Sequence, residues 1–333
     1  MSLKALFIGG TGIISSACTR LAAARGIELY LLNLGKTSQR PIPDGVHVLR
    51  GDIRERASVL NALGNMHFDV VVDWVAFTPE HIENDIALFR GRTGQFIFIS
   101  SASAYQKPVA NLPITESTPL HNPYWEYSRN KIACEERLMQ AYRAEGFPAT
   151  IVRPSHTYDC TLLPPDGGYT VIDRMRKGKK VWVHGDGTSL WVLTHHADFA
   201  KGFLGLMGNL HTIGDAIHIT SDEVLTWNQI YTILAHAAGV AEPQLVHVPS
   251  EVLNSYDANL GAGLLGDKAH SVIFDNTKLK RLVPDFACSI PFTRGAEEIL
   301  AWYDADPARC TIDEEFNTLS DKVIAAQETT FSK

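Results

Sequence analysis

Cysteine is scarce and poorly placed for cross-linking. The five residues Cys18, Cys134, Cys160, Cys288 and Cys310 are odd in number, scattered, and lack C-x-x-C or metal-ligand spacing. They read as ordinary thiols in a reducing compartment, which excludes a disulfide framework and a cysteine metal centre. Long apolar runs are missing too. None approaches the roughly 20 residues of a membrane-spanning helix, and no signal peptide precedes the first expected strand. Positive charge is in deficit, with 30 Lys and Arg against 37 Asp and Glu and a formal net charge of -7. That balance, with a pI near 6.0, argues against an electrostatic nucleic-acid binder. Internal repeats and low-complexity segments are absent. A cytoplasmic protein with no membrane or nucleic-acid partner is the expectation.

What is present is enough for a large core. The chain has 333 residues, 45% of them hydrophobic and 20% charged, which suits one elaborated domain or two lobes. Leu3 to Ile8 is a short apolar run that reads as a strand buried on both faces, feeding Gly9-Gly10-Thr11-Gly12. Helical character follows from Ile13 to Arg25, stopped by Gly26. Further strands are expected at Glu28–Leu32, Val46–Leu49, Asp69–Val75, Gln95–Ser100 and Ala149–Arg153. Helices are expected at Arg54–Leu63, Pro79–Arg90 and Tyr127–Glu145. Strands alternating with helices imply an α/β, doubly wound parallel sheet. After Arg153-Pro154 the rhythm breaks: Leu163 to Gly168 is loop-like, Ala216–Thr220 reads as one more strand, and Thr226–Ala238 and Pro291–Tyr303 as helices. The expected division is a dinucleotide-binding domain over 1–155, to which segments near 185–220 return, and a smaller α/β substrate lobe over 156–333.

The cluster Gly9 to Gly12, placed after a buried strand and before a helix, lets backbone approach a pyrophosphate at the helix N-terminus. Ser15 stands where a third glycine is usual, which predicts looser helix-to-strand packing. The end of the second strand carries Asn33 where an acidic residue would hold the ribose diol of NAD. Lys36 and Arg40 can pair with a 2′-phosphate or be solvated loop charges, so NAD is expected with NADP left open. Asp52 of Gly51-Asp52-Ile53 either meets the adenine edge or caps the next helix. Tyr127 and Lys131 are one helical turn apart and can point into one cleft. There the ammonium lowers the phenol pKa and gives a base for a hydroxyl proton.

In this order Gly9-Gly10-Thr11-Gly12, Gly51-Asp52-Ile53, Phe98-Ile99-Ser100-Ser101-Ala102-Ser103-Ala104-Tyr105, Tyr127-x-x-x-Lys131, Arg153-Pro154, His184-Gly185-Asp186-Gly187 and His195-x-x-Asp198 form a set. The set resembles the extended short-chain dehydrogenase/reductase family, in its epimerase and dehydratase group, and within it an atypical branch that includes plant chloroplast stem-loop-binding proteins. The resemblance covers most of the chain to about residue 300. It implies a Rossmann fold and hydride transfer between a carbinol carbon and nicotinamide, with Tyr127 as acid or base, Lys131 on the nicotinamide ribose, and Ser101 on the reacting oxygen. Ser100 and Ser103 compete with Ser101 for that role. The implied cofactor set is Gly9, Thr11, Gly12, Ile13, Ile14, Asn33, Lys36, Asp52, Ile53, Val75, Ala76, Ser100, Tyr127, Lys131 and Pro154. A homodimer through the helices near Pro79–Arg90 and Tyr127–Glu145 is also implied.

Departures from that pattern narrow the chemistry. The Asp-Glu pair of the 4,6-dehydratases is replaced by Ala102 and Ser103, which disfavours elimination, and the decarboxylase Glu is absent. Oxidation, reduction or epimerisation of a sugar or sugar nucleotide stays open. The diphosphate-binding Arg is replaced by Trp191, which either stacks on substrate or is packed away. His156 either contacts substrate or is a satisfied buried histidine. Adjacent His195 and His196, taken as strand residues, face opposite sides and are not read as a metal site. Two non-catalytic readings of the same fold remain, an RNA-associated protein and an NAD(P) sensor.

Overall fold

The computed structural model describes residues 2–35 and 40–331. The first half alternates as expected. Strands β1 (Lys4–Ile8), β2 (Glu28–Asn33), β3 (His47–Arg50), β4 (Phe68–Asp73), β5 (Thr93–Ile99) and β6 (Ala149–Pro154) are interleaved with helices α1 (Ile13–Ala24), α2 (Arg56–Leu63), α3 (Pro79–Phe89) and α4 (Glu126–Glu145). The later segments are β7 (His156–Tyr158), α5 (Tyr169–Arg176), β8 (Val181–His184), β9 (Leu190–Trp191), β10 (Leu193–His195), α6 (His196–Leu206) and β11 (Ala216–Ile219). They continue with β12 (Leu225–Thr226), α7 (Trp227–Ala237), β13 (Leu245–Val248), α8 (Ser250–Tyr256), α9 (Ala258–Gly263), α10 (Thr277–Leu282), α11 (Phe292–Asp304) and α12 (Glu314–Phe331).

Seven strands form one sheet in the order β11-β6-β5-β4-β1-β2-β3, paired in parallel throughout. Its strands are apolar at consecutive positions because both faces are covered. In β4, Val70 and Val72 join the layer of α1 and α6, with Cys18, Phe199 and Phe203. Val71 points the other way, to Val59 of α2, Ile82 of α3 and Leu138 of α4. Each such side chain contributes on the order of 1.5–3 kcal/mol by leaving water. Strand order reverses between β1 and β4, which opens a crevice at their carboxyl ends, the usual ligand position in such sheets. Chain after Pro154 builds a separate cluster around Tyr158, Trp191, Trp227, Ile230 and Phe292. The parallel pair β8·β13 and α12 pack beside it. The strands of this part went unread in the sequence because they are only two to four residues long.

Strand β4 stops two residues short of the expected Val75. The Asp73 carboxylate accepts the N–H groups of Val75 and, at 2.8 Å, Ala76, so the backbone turns there rather than extending. The other Asp73 oxygen and both Asp85 oxygens are buried without a hydrogen-bonding N–H or hydroxyl group among the described residues. Burial first, and the charge of Asp73 next, hold the Asp85 carboxyl well above its ordinary 3.8. Two carboxyl groups this close coexist by sharing one proton. The folded chain therefore keeps a proton that the unfolded chain has lost. This contribution is fully present below the unfolded pKa and is lost as pH rises toward the folded one. Asp85→Asn should fold and gain stability over the parent progressively as pH rises from about 4, the unfolded carboxylate value. Thermal melts at pH 5 and pH 8 measure it; parallel melting-temperature profiles would show that Asp85 ionises normally.

Candidate active site

The crevice begins at the glycine turn. Gly9 and Gly10 sit at φ +97° and +108°, and a Cβ on Gly10 would lie 2.7 Å from Leu31, so only glycine lets the turn pass this close to β2. The Thr19 hydroxyl fastens the turn through the Gly10 carbonyl at 2.8 Å. Ser15 is buried, and its hydroxyl accepts the Gly12 N–H at 2.8 Å. The serine thus caps the start of α1 rather than loosening it. Gly12, Ile13 and Ile14 form that helix end, and the Ile13 carbonyl is tied to His196 Nδ1 at 3.0 Å.

Beside the turn lies a cavity of about 760 Å³ whose wall includes Gly9, Thr11, Asn33, Asp52, Ile53 and Val75. Asn33 uses its side-chain oxygen to accept the Gly35 N–H at 3.0 Å. Lys36 lies outside the described residues. Arg40 lines the same cavity but is turned to Asp159 at 2.7 Å and to the Thr161 hydroxyl, so it ties the first half of the chain to the second. Asp52 does not cap α2: its carboxylate accepts the Arg54 N–H at 2.9 Å in a local turn, and Glu55 occupies the cap position. At the inner strand ends Ala76 is fully buried and its carbonyl engages Lys131. Ser100 gives its hydroxyl to Glu135, leaving backbone as what it can offer a ligand. Pro154 closes β6, in register with Ile219.

Helix α4 brings Tyr127 and Lys131 to these strand ends. Lys131 donates to the carbonyls of Ala76 and Ile99 at 2.7 and 2.8 Å. Its ammonium lies 4.7 Å over the Phe77 ring and 4.8 Å over Phe98. Burial lowers its pKa to about 8. Tyr127 stands between Trp125 and Phe77, ring centroids 4.8 and 6.4 Å away. The expected lowering of its pKa is not what this form of the protein shows. Burial pushes the phenol up to about 12, offset in part by the Ser101 hydroxyl, and the Lys131 ammonium lies 5.7 Å from its ring centroid. Ser101 is linked to Ser103 at 2.8 Å, and Ser128 donates to Ser103 at 2.8 Å. Ser103 thus links Ser101 to Ser128 in a hydroxyl chain.

At Trp191 and His156 the structure has the packed alternatives. Trp191 is only 3% exposed. Its ring packs against Trp227 with centroids 5.4 Å apart, and its indole N–H donates to His156 Nδ1 at 3.2 Å. It belongs to the core, and His156 is its acceptor. Burial and the charge of Lys268 hold His156 neutral, at about 3. His195 and His196 are not on one strand. They meet where β10 becomes α6, their ring centroids 4.8 Å apart. His195 faces Glu298 at 3.2 Å, while His196 turns to Ile13.

Three charged residues escaped the sequence reading. Asp267 and Lys268 lie on a single π-helical turn, Leu264–Lys268, a feature frequent at functional sites. Lys268 pairs with Asp166 at 2.6 Å. Asp267 acts on Tyr127, holding its phenol up, and faces the fully buried ammonium of Lys107 at 3.2 Å. No local motif marks these positions, because they reach Tyr127 and His156 only through the fold. Ser101 and Tyr127 thus stand beside Lys131 at the strand ends, in the same sheet that carries the glycine turn.

Comparisons with known proteins agree with this geometry. The family model for the NAD dependent epimerase/dehydratase family matches residues 5–219. The chloroplast stem-loop binding protein of 41 kDa b from Arabidopsis thaliana is 27% identical over 73% of this chain, and the match spans 65% of that protein's length. The 2'-dehydrokanamycin reductase of Streptomyces kanamyceticus is 26% identical over 72% of this chain and 67% of its own. Among solved structures the epimerase Mth375 from Methanothermobacter thermautotrophicus superposes with a TM-score of 0.75 at 16% identity, covering 93% of this chain and 94% of that one. The crevice at the strand-order reversal, the Ser101-Tyr127-Lys131 grouping and the match over 5–219 lead to one conclusion: this chain belongs to the NAD dependent epimerase/dehydratase family.

Proposed function

We propose that the protein binds a nicotinamide dinucleotide along the crevice and catalyses reversible oxidation and reduction of a carbinol on a sugar or related polyol, as a reductase, dehydrogenase or epimerase. The observation that carries this reading is the grouping of Ser101, Tyr127 and Lys131 beside the ends of β4 and β5. The glycine turn and the N-terminus of α1 suit a pyrophosphate, the cavity wall at Asn33 and Ile53 suits adenosine, and Lys131 suits the second ribose. The bound nicotinamide supplies the hydride chemistry.

The chain's own groups handle the proton. At neutral pH a phenol at about 12 keeps its hydrogen, so Tyr127 is set to donate to a carbonyl oxygen that Ser101 orients. In the opposite direction Tyr127 must give up that proton, which is favoured by positive charge from Lys131 and from an oxidised nicotinamide. Elimination has no carboxylate at Ala102 or Ser103 to drive it. With Trp191 buried in place of a diphosphate-binding arginine, a substrate without a nucleotide diphosphate suits the cleft best. Similarity to a protein named as a reductase of 2'-dehydrokanamycin supports reduction of a carbohydrate ketone. A homodimer through α3 and α4 and a cytoplasmic location go with this reading. Similarity to a stem-loop binding protein supports an RNA-associated alternative, against which the net charge of -7 weighs. A gel shift with structured RNA at stated salt separates the two.

The test follows reduced-nicotinamide absorbance, lost with keto-sugars and gained with sugars and sugar nucleotides as they are oxidised, and adds chromatographic separation of the recovered sugars, because epimerisation leaves no net change in the nicotinamide. Turnover with one of them is expected, and silence across the panel counts against an enzyme. Tyr127→Phe should lower kcat by about 10²–10⁴-fold while dinucleotide binding persists; unchanged turnover would remove Tyr127 from the chemistry. Lys131, at about 8, is charged below that pH and neutral above it. In the reductive direction kcat/KM should therefore fall as pH rises through about 8. A flat profile to pH 9 would show that the Lys131 charge is not required.

A further inference from the structure

We propose that the end of β2 is built to take the 2′-phosphate of an adenine dinucleotide, with Arg50 as its cation, so that the protein favours NADP(H) over NAD(H). This rests on the dinucleotide reading above and sharpens it. A sheet of this kind that reads a free 2′-hydroxyl places a carboxylate at the end of β2, which repels a phosphate there. From Asn33 to Pro43 this chain has no acidic residue, the nearest being Glu28 and Asp44. Asn33 has its side-chain oxygen engaged by the Gly35 N–H, so what it has left is an NH2 group. That group is a donor, suited to phosphate oxygens.

The cation is supplied by the neighbouring strand. Asn33 and Arg50 are register partners across β2 and β3, so the Arg50 side chain starts beside the residue that would meet the ribose. It folds over the following turn: a Cβ on Gly35 would lie 3.3 Å from Arg50 Nε. Among the described residues it makes no hydrogen bond or ion pair, although it is exposed and lines the cavity of about 760 Å³. The other two arginines of that wall are engaged, Arg40 by Asp159 and Thr161 and Arg54 by the Val75 carbonyl. Asp52 is the one carboxylate on the described wall, and it is turned to the Arg54 N–H. A guanidinium in this position presents a planar set of donors that matches phosphate oxygens.

Calorimetric titration with NADP⁺ and NAD⁺, and with adenosine 2′,5′-bisphosphate and adenosine 5′-monophosphate as fragments, tests the proposal without turnover. NADP⁺ should bind tighter by roughly 10–100-fold, the range for one charged hydrogen-bonded contact. The bisphosphate should outbind the monophosphate in the same sense, and added salt should erode the difference. In Arg50→Ala the ratio should collapse toward one, chiefly through weaker NADP⁺ binding, and Arg50→Lys should restore part of it. Equal or tighter binding of NAD⁺ by the parent protein overturns the proposal. So does an Arg50→Ala variant that weakens both dinucleotides alike, which would place the guanidinium on the adenine ring. Binding of neither dinucleotide would overturn the dinucleotide reading itself.

Discussion

Helix α4 is clamped to three strand ends by a buried cation and a buried anion one turn apart. The Lys131 ammonium sits on the carbonyls at the ends of β4 and β5. Glu135 takes the Ser100 hydroxyl and the Arg153 guanidinium, joining β5 to β6. Both side chains are buried, and removing Arg153 from its buried pair with Glu135 costs about 3–5 kcal/mol. The clamp fixes where α4 begins, and hence where Tyr127 stands relative to Ser101. The placement of Tyr127 beside Ser101 is in this sense a by-product of satisfying two buried charges.

The same logic governs the surrounding charges. The Lys107 ammonium is buried with Asp267 as its counter-charge, which holds the π-helical turn near Tyr127. Lys268 on that turn is anchored by Asp166 and adds to the burial that holds His156 neutral. Across the crevice, Arg40 reaches from the β2–β3 connection to Asp159. The later part of the chain is thus pinned to the sheet by ion pairs on both sides of the cleft, where partial shielding from water makes them stronger than surface pairs. Tyr127 is left in an apolar, aromatic setting that holds its proton. That suits a donor in the resting protein and leaves its activation to charge arriving with the ligand.

Much of the first half was legible from residues alone. Runs such as Leu6-Phe7-Ile8 and Val70-Val71-Val72 are apolar at consecutive positions, as a sheet covered on both faces requires, and the strands they predict are present. The glycine turn and the Tyr127–Lys131 spacing were readable because they depend on chain neighbours. In the second half β11, α7 and α11 were legible, but the other strands were not, since they are short and pair with segments distant in sequence, as β8 does with β13. Trp191 stayed open between a substrate platform and a packed aromatic because its exposure depends on Trp227, 36 positions away in the chain. Lys107, Asp267 and Lys268 went unseen for the same reason.

By itself, then, the sequence determined the doubly wound sheet, the phosphate turn and the identity of the Ser-Tyr-Lys groups, all of which are written in local spacing and in the period of apolar residues. Tertiary structure alone decided the electrostatics. Burial raises Tyr127 and lowers Lys131, register sets Arg50 beside Asn33, and a remote turn carries Asp267 to the phenol. The reason is physical: a side chain's type is local, but its pKa and its partners depend on the dielectric and the charges around it, which exist only once distant segments have packed.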